Sequence, residues 1–292
     1  HNWPLFHHMA ELQKNQFVNV SPAGFITDQL LMNLPGLIVW ITGLVVFLFF
    51  RQQKQYRIIA LMYLFIMLML IVLRGKSYYS LGIYPLLFAA GGFAIEKYFK
   101  KWQQHLIALL IVLLCLPLIP FSLPVMSHQK MEQYSRPFAE FTNRWEDGKV
   151  YPLPQDYADM TGWKELGNMV NHFFDTIPDH RKKEYTIFAE NYGQAGAVKF
   201  YGKNHNLPEP VSFSDNFLLW APDTLKNSKF LYINHDAGDI YELFEKAHKI
   251  GEINNKYFRE NGLKVFYCTD PKPHLRSFYA NKAAGFKEKY KQ

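Results

Sequence analysis

Two clusters of residues in this chain have the types and spacing for chemistry. The first is the stretch Leu73-Arg-Gly-Lys-Ser-Tyr-Tyr-Ser-Leu-Gly-Ile-Tyr-Pro85. Arg74 and Lys76 are cations two residues apart, and Tyr78, Tyr79 and Tyr84 follow closely. Guanidinium and ammonium groups make charge-assisted hydrogen bonds to phosphate oxygens, while phenols donate to the same oxygens or line an apolar tail. The set suits the phosphate of an anionic lipid such as a polyprenyl phosphate. The competing reading is a belt of interfacial aromatics whose flanking cations snorkel to water.

The second cluster is the turn Glu190-Asn-Tyr-Gly-Gln-Ala-Gly196. It follows a buried strand and opens a helix, so the backbone N–H groups of Asn191, Tyr192 and Gly193 could meet a ligand. The preferred reading is structural, a tight turn in which Gly193 and Gly196 let the helix pack closely on the sheet. The chain has no Gly-x-Gly-x-x-Gly, Walker loop, Cys-x-x-Cys or nucleophile elbow. His7 and His8 are adjacent, so on a helix they diverge by about 100° and do not face one metal ion.

Positioning falls to four apolar stretches, residues 34–50, 58–73, 78–94 and 106–124. Each approaches the ~20 residues that cross a ~30 Å hydrocarbon core. Inside lipid the backbone must bond to itself, so each should be helical. The loops Arg51-Gln-Gln-Lys-Gln-Tyr-Arg57 and Lys97-Tyr-Phe-Lys-Lys-Trp102 are both basic, which holds them on the cytoplasmic side. The hairpin with Arg74 and Lys76 then lies outside, although its own cations run against a simple charge count. Pro117 and Pro120 should kink or stop the last span.

The expected organisation is an extracytoplasmic segment over 1–33, a helical membrane bundle of four spans over 34–124 and a soluble extracytoplasmic α/β domain over 125–292. Within 1–33, residues 2–12 read as an interfacial helix and Ser21-Pro-Ala-Gly24 as a turn. In the soluble part an amphipathic helix spans 161–175. Strands at 184–189, 229–234 and 263–268 alternate with helices at 191–201 and 239–250, which argues for mainly parallel pairing. Residues 282–291 read as a solvated Lys-rich tail able to touch anionic lipid.

The net charge is +7. Part of it sits in the cytoplasmic loops, so nucleic acid is not needed as a partner. Cys115 lies in a span and Cys268 near the end of a strand, which disfavours a disulfide between them. The chain opens on His without a signal sequence, yet its first span must insert from outside to inside. Both features point to a piece of a longer protein with further helices upstream.

In the order Asn2-Trp-Pro4, Ser21-Pro22, Arg74-Gly-Lys-Ser-Tyr-Tyr79 and Ile83-Tyr-Pro-Leu-Leu-Phe-Ala-Ala-Gly-Gly92, the chain resembles the later half of bacterial glycosyltransferase family 39 proteins. These are relatives of the protein O-mannosyltransferases and of the lipid A aminoarabinose transferase. Asp156-Tyr-Ala-Asp-Met-Thr-Gly-Trp163, Asn191-Tyr-Gly-Gln-Ala-Gly-Ala197, Leu207-Pro208 and Trp220 are similar to the extracytoplasmic C-terminal domain of that group. The resemblance implies a multi-pass enzyme of the inner (plasma) membrane. Such an enzyme moves a sugar from a polyprenyl-phosphate donor to an extracytoplasmic glycan, lipid or protein acceptor. It implies donor-phosphate binding by Arg74 and Lys76 with Tyr78 and Tyr79, and a structural role for Asp156 and Asp159. The family's catalytic carboxylates belong to the first outer loop, expected upstream of His1, and a divalent cation is possible in that missing half, so no catalytic residue is assigned here. The alternative from another class is a membrane-anchored ligand-binding or sensor module with an α/β outer domain. Four helices are more than an anchor requires. A transporter half would show intramembrane charges and paired broken helices.

Overall fold

The computed structural model describes residues 21–291, with side chains through Glu288. The expected interfacial helix at 2–12 and the His7–His8 pair lie outside the described residues. The chain divides into two compact units. One runs to Met131 and includes Arg144–Lys149; the other holds Glu132–Asn143 and the chain from Val150 onward.

The first unit is helical. Its main helices are α1 (Pro22–Met32), α2 (Leu37–Phe49), α3 (Arg57–Val72), α4 (Tyr84–Tyr98) and α5 (Lys101–Cys115). Among the described residues three continuous helical paths, Arg51–Val72, Ser77–Tyr98 and Lys101–Ser122, are long and apolar enough to cross a membrane. The last changes from α to a tighter turn at Leu116–Leu118, where Pro117 sits, and continues to Ser122.

The expected first span is different. Pro22–Met32 and Leu34–Phe49 meet at a bend of 72°, so they form one broken span or a re-entrant loop. Pro35 lacks a backbone donor and Gly36 lacks a Cβ, and with Asn33 they supply the break. Ser21-Pro-Ala-Gly24 is the start of α1 and not a free turn. The Ser21 hydroxyl accepts from Gly24 N at 3.0 Å and Pro22 takes the first helical position, the residue types a helix N-terminus favours.

Helices α2 and α4 touch through their backbones. A Cβ on Gly43 would stand 2.0 Å from the Leu87 carbonyl oxygen, and one on Gly91 would stand 1.9 Å from that of Val39. Small residues at such a seam let packing replace the hydrophobic drive that lipid cannot supply. Around it Trp40, Phe47, Ala60, Tyr63, Tyr84 and Leu87 form the unit's core.

The second unit carries a four-stranded sheet of β1 (Tyr185–Ala189), β2 (Lys229–Asn234), β3 (Phe244–Glu252) and β4 (Lys264–Pro271), in the order β1-β2-β4-β3. On one face, Ile187, Leu231, Ile233 and Val265 pack with Leu166, Val170 and Phe174 of helix α6 (Trp163–Asp175) and with Ala195 and Val198 of α7 (Tyr192–Tyr201). On the other, Phe230, Phe244, Phe266 and Cys268 pack with Leu275, Tyr279 and Ala283 of α8 (Leu275–Lys291). The presumed tail is therefore a helix with a buried face.

Two further expectations are corrected. Among the four described strands only β1 and β2 pair in parallel; β4 is antiparallel to both of its neighbours. Residues 239–250 are not a helix. One helical turn, Ile240–Leu243, leads into β3, an edge strand with a register shift between Lys249 and Gly251. Short βα alternation needs a crossover helix before each parallel strand, and here a hairpin of β3 and β4 stands in its place.

Candidate functional site

The hairpin after α3 is closed by a Schellman motif. Gly75 N donates to Leu70 O at 2.7 Å and Arg74 N to Ile71 O at 3.3 Å, which satisfies carbonyls the helix end leaves free. The residue at the left-handed position of this motif is Arg74, with φ 52°. Glycine normally takes that place, and a side chain there costs about 1 kcal/mol or more. Gly75 lies one residue too late to relieve it. The Arg74 side chain is exposed and makes no hydrogen bond or ion pair among the described residues.

Lys76 is half-buried and bonds the Glu146 carboxylate, with its ammonium 5.8 Å from the Tyr78 ring centre. Burial works to lower its pKa, but the hydrogen bond and charge of Glu146 outweigh it and hold the ammonium above the ordinary lysine value. Lys76 is therefore a fixed cation. Tyr78 and Tyr79 are exposed, with their rings edge-to-face at 4.9 Å.

Beneath the hairpin a polar network fixes the tight-turn segment Ser77–Ile83. Gln29 of α1 donates to Ser77 O at 3.0 Å, and its amide oxygen receives Ser80 Oγ at 2.6 Å and Tyr84 Oη at 2.9 Å. Tyr63 Oη lies 3.3 Å from Tyr84 Oη, while Ser77 Oγ donates to Asp28 at 2.6 Å. Trp40 packs edge-on to Tyr84 at 5.5 Å, and its buried indole N–H has no partner among the described residues. Two carboxylates thus attach to consecutive hairpin residues, Glu146 to Lys76 and Asp28 to Ser77. Sequence reasoning missed Gln29, Asp28 and Glu146. A polar Gln between apolar residues of α1 was a usable signal; Glu146, 70 residues from Lys76, gave none.

In the second cluster the polar side chains bond to the turn's own backbone and to Glu260. Asn191 caps α7 by accepting from Gln194 N at 3.0 Å. Asn191 Nδ2 and Gln194 Nε2 donate to the two oxygens of Glu260 at 2.8 and 2.7 Å. A Cβ on Gly193 would stand 2.9 Å from the Trp163 ring, so this glycine does permit close packing, though against α6. A Cβ on Gly196 would meet nothing within 4 Å, which removes the packing role expected of it. Tyr192 points outward.

Near the carboxyl ends of β1 and β2, Tyr232 Oη donates to Glu190 at 3.3 Å and accepts from Asn234 at 2.9 Å. Burial, then the Glu190 charge, raises the Tyr232 pKa. Asp159 receives Arg259 at 3.1 Å and its carbonyl receives the Trp163 indole at 2.6 Å, a structural bond set. No three His, Cys, Asp or Glu side chains converge as for a metal ion among the described residues.

Chemically, the hairpin offers one exposed cation, one oriented cation and two phenols. That set can hold a phosphate ester and stabilise charge as it develops on a leaving phosphate. Compared with protein-family models, curated proteins and solved structures, the chain finds no match.

Proposed function

We propose that the chain is the C-terminal part of a membrane glycosyltransferase that uses a polyprenyl-phosphate-linked sugar, and that the hairpin of Arg74 and Lys76 holds the donor phosphate at the extracytoplasmic surface. The observation that carries this reading is Arg74 at φ 52°, where glycine would be cheaper. A cation kept at a strained position, exposed and beside a second cation, supports a site for an anionic ligand.

In the reaction, an acceptor oxygen attacks the anomeric carbon and the bond between that carbon and the phosphate oxygen breaks. The phosphate leaves with the electron pair, and the acceptor's proton passes to a general base. Arg74 and Lys76 meet the negative charge that grows on the leaving phosphate. Tyr78 and Tyr79 donate to it or flank the first isoprene units. Glu146 occupies Lys76 until the donor phosphate competes for it.

The test is transfer from a polyprenyl-linked sugar by the complete enzyme carrying Arg74→Ala or Lys76→Ala. Loss of one oriented cation is expected to lower turnover about a hundredfold or more, with unchanged expression. Unchanged turnover in both variants would remove the donor-site assignment.

A further inference from the structure

At the end of the helical unit opposite the hairpin lies a groove of about 350 Å³ between α2 and α4. It lies beside the seam where Gly43 and Gly91 let the two backbones come into contact. Ile41, Val45 and Val46 of α2 and Ala94 of α4 line it, and the rings of Phe50 and Tyr98, 5.4 Å apart, stand at its end. Its one aliphatic hydroxyl, on Thr42, is bonded to the Ile38 carbonyl at 2.6 Å and offers no donor to an occupant.

Cations flank the aromatic end. Arg51 follows Phe50, Lys97 precedes Tyr98, and Lys100 follows Phe99, all three exposed. Lys97 is held by Gln52, whose amide oxygen takes its ammonium at 3.1 Å, and lies 5.6 and 5.3 Å from the Phe93 and Tyr98 ring centres. Among the described residues none of the three pairs with a carboxylate.

The Tyr98 hydroxyl at its end is turned to Gln52 Oε1 at 3.4 Å, and a mainly apolar groove that ends at cations without a carboxylate partner fits an amphiphile with an aliphatic tail and an anionic head. We propose that this groove binds one acyl chain of an anionic phospholipid, with its phosphate headgroup held by Arg51 and Lys97. The site is separate from the hairpin and does not depend on the transferase reading. A zwitterionic lipid fills the same groove but gains nothing net from the cations.

The experiment is native mass spectrometry of the delipidated full chain, titrated with equal phosphatidylglycerol and phosphatidylcholine. Phosphatidylglycerol adducts should dominate. In Arg51→Gln/Lys97→Gln the preference should fall by about fivefold for each cation removed, with phosphatidylcholine unchanged. Val45→Trp, which fills the groove from its lipid-facing wall, should weaken both lipids. If the double variant does not stay monodisperse and helical, Lys97→Gln alone should show the single step and Lys97→Arg should restore it. Equal binding of the two lipids by the unsubstituted chain would overturn the proposal, as would a preference that survives loss of the cations.

Discussion

In the α/β unit Leu166, Ile187, Leu231 and Val265 are fully buried, whereas in the helical unit Ile58, Phe65, Leu68 and Val72 lie on the surface. The buried places of the helical unit go in part to Gln29 and Ser80, which bond to one another. Helix α6 shows one apolar stripe facing a sheet, while α3 is apolar all round. The difference is the one that two solvents, water and lipid, would produce. Water rewards the burial of apolar area. Lipid leaves that term near zero, so close packing and hydrogen bonds between helices carry the contact.

The largest effect that could break this contrast is truncation of matched leucines. Leu166→Ala, in a fully buried place, should cost about 2–5 kcal/mol in chemical denaturation. Leu68→Ala, on the surface of α3, should cost about 0.5 kcal/mol or less. Equal costs would mean that the face of α3 is covered by protein. Charge sharpens the same point with the opposite sign. Leu68→Asp should disfavour membrane insertion by about 2.5–3.5 kcal/mol in a translocon assay. Phe200→Asp, at a side chain 74% exposed in the α/β unit, should stay within about 0.5 kcal/mol.

A smaller effect concerns the hairpin. Arg74→Gly relieves the left-handed strain and should stabilise the helical unit by about 1 kcal/mol in thermal unfolding. Transfer should fall, so stability and activity move in opposite directions. A variant that gains both would argue against a ligand role for Arg74.

The smallest is a pH effect in the α/β unit. The Tyr257 hydroxyl, then Lys256, bonds the Glu132 carboxylate and holds its pKa below the ordinary value of 4.5. The folded state therefore prefers ionised Glu132. The stability this adds is complete above about pH 4.5 and drains as pH falls through the folded value. Glu132→Gln should flatten that acid limb and leave its shape near neutral pH unchanged.

The spans were legible because lipid imposes a local requirement, a run of apolar residues long enough to cross. The same strength hid the break at Asn33-Leu-Pro-Gly36, since hydropathy over residues 34–50 outweighs the punctuation in front of it. Strands β1 and β2 announced themselves through short apolar runs. Strand β3 did not: Phe244-Glu-Lys-Ala-His-Lys249 holds good helix formers, and its strand state comes from pairing with β4. An edge position also explains its exposed lysines. At the candidate site the cations were visible as a local pattern. Their counter-ions and supports were not, because the pairs Lys76–Glu146 and Ser80–Gln29 join residues far apart in the chain.

The most direct test of the two-solvent account is spin-label accessibility in nanodiscs at Phe65→Cys and Phe200→Cys. Cys115 is replaced by Ala, and Cys268 is left in place, since it is buried and burial pushes its thiol up to about 12. The label at 65 should relax with oxygen and resist a water-soluble nickel chelate, and the label at 200 should do the reverse. A chelate that reaches 65 as readily as 200 would contradict the account.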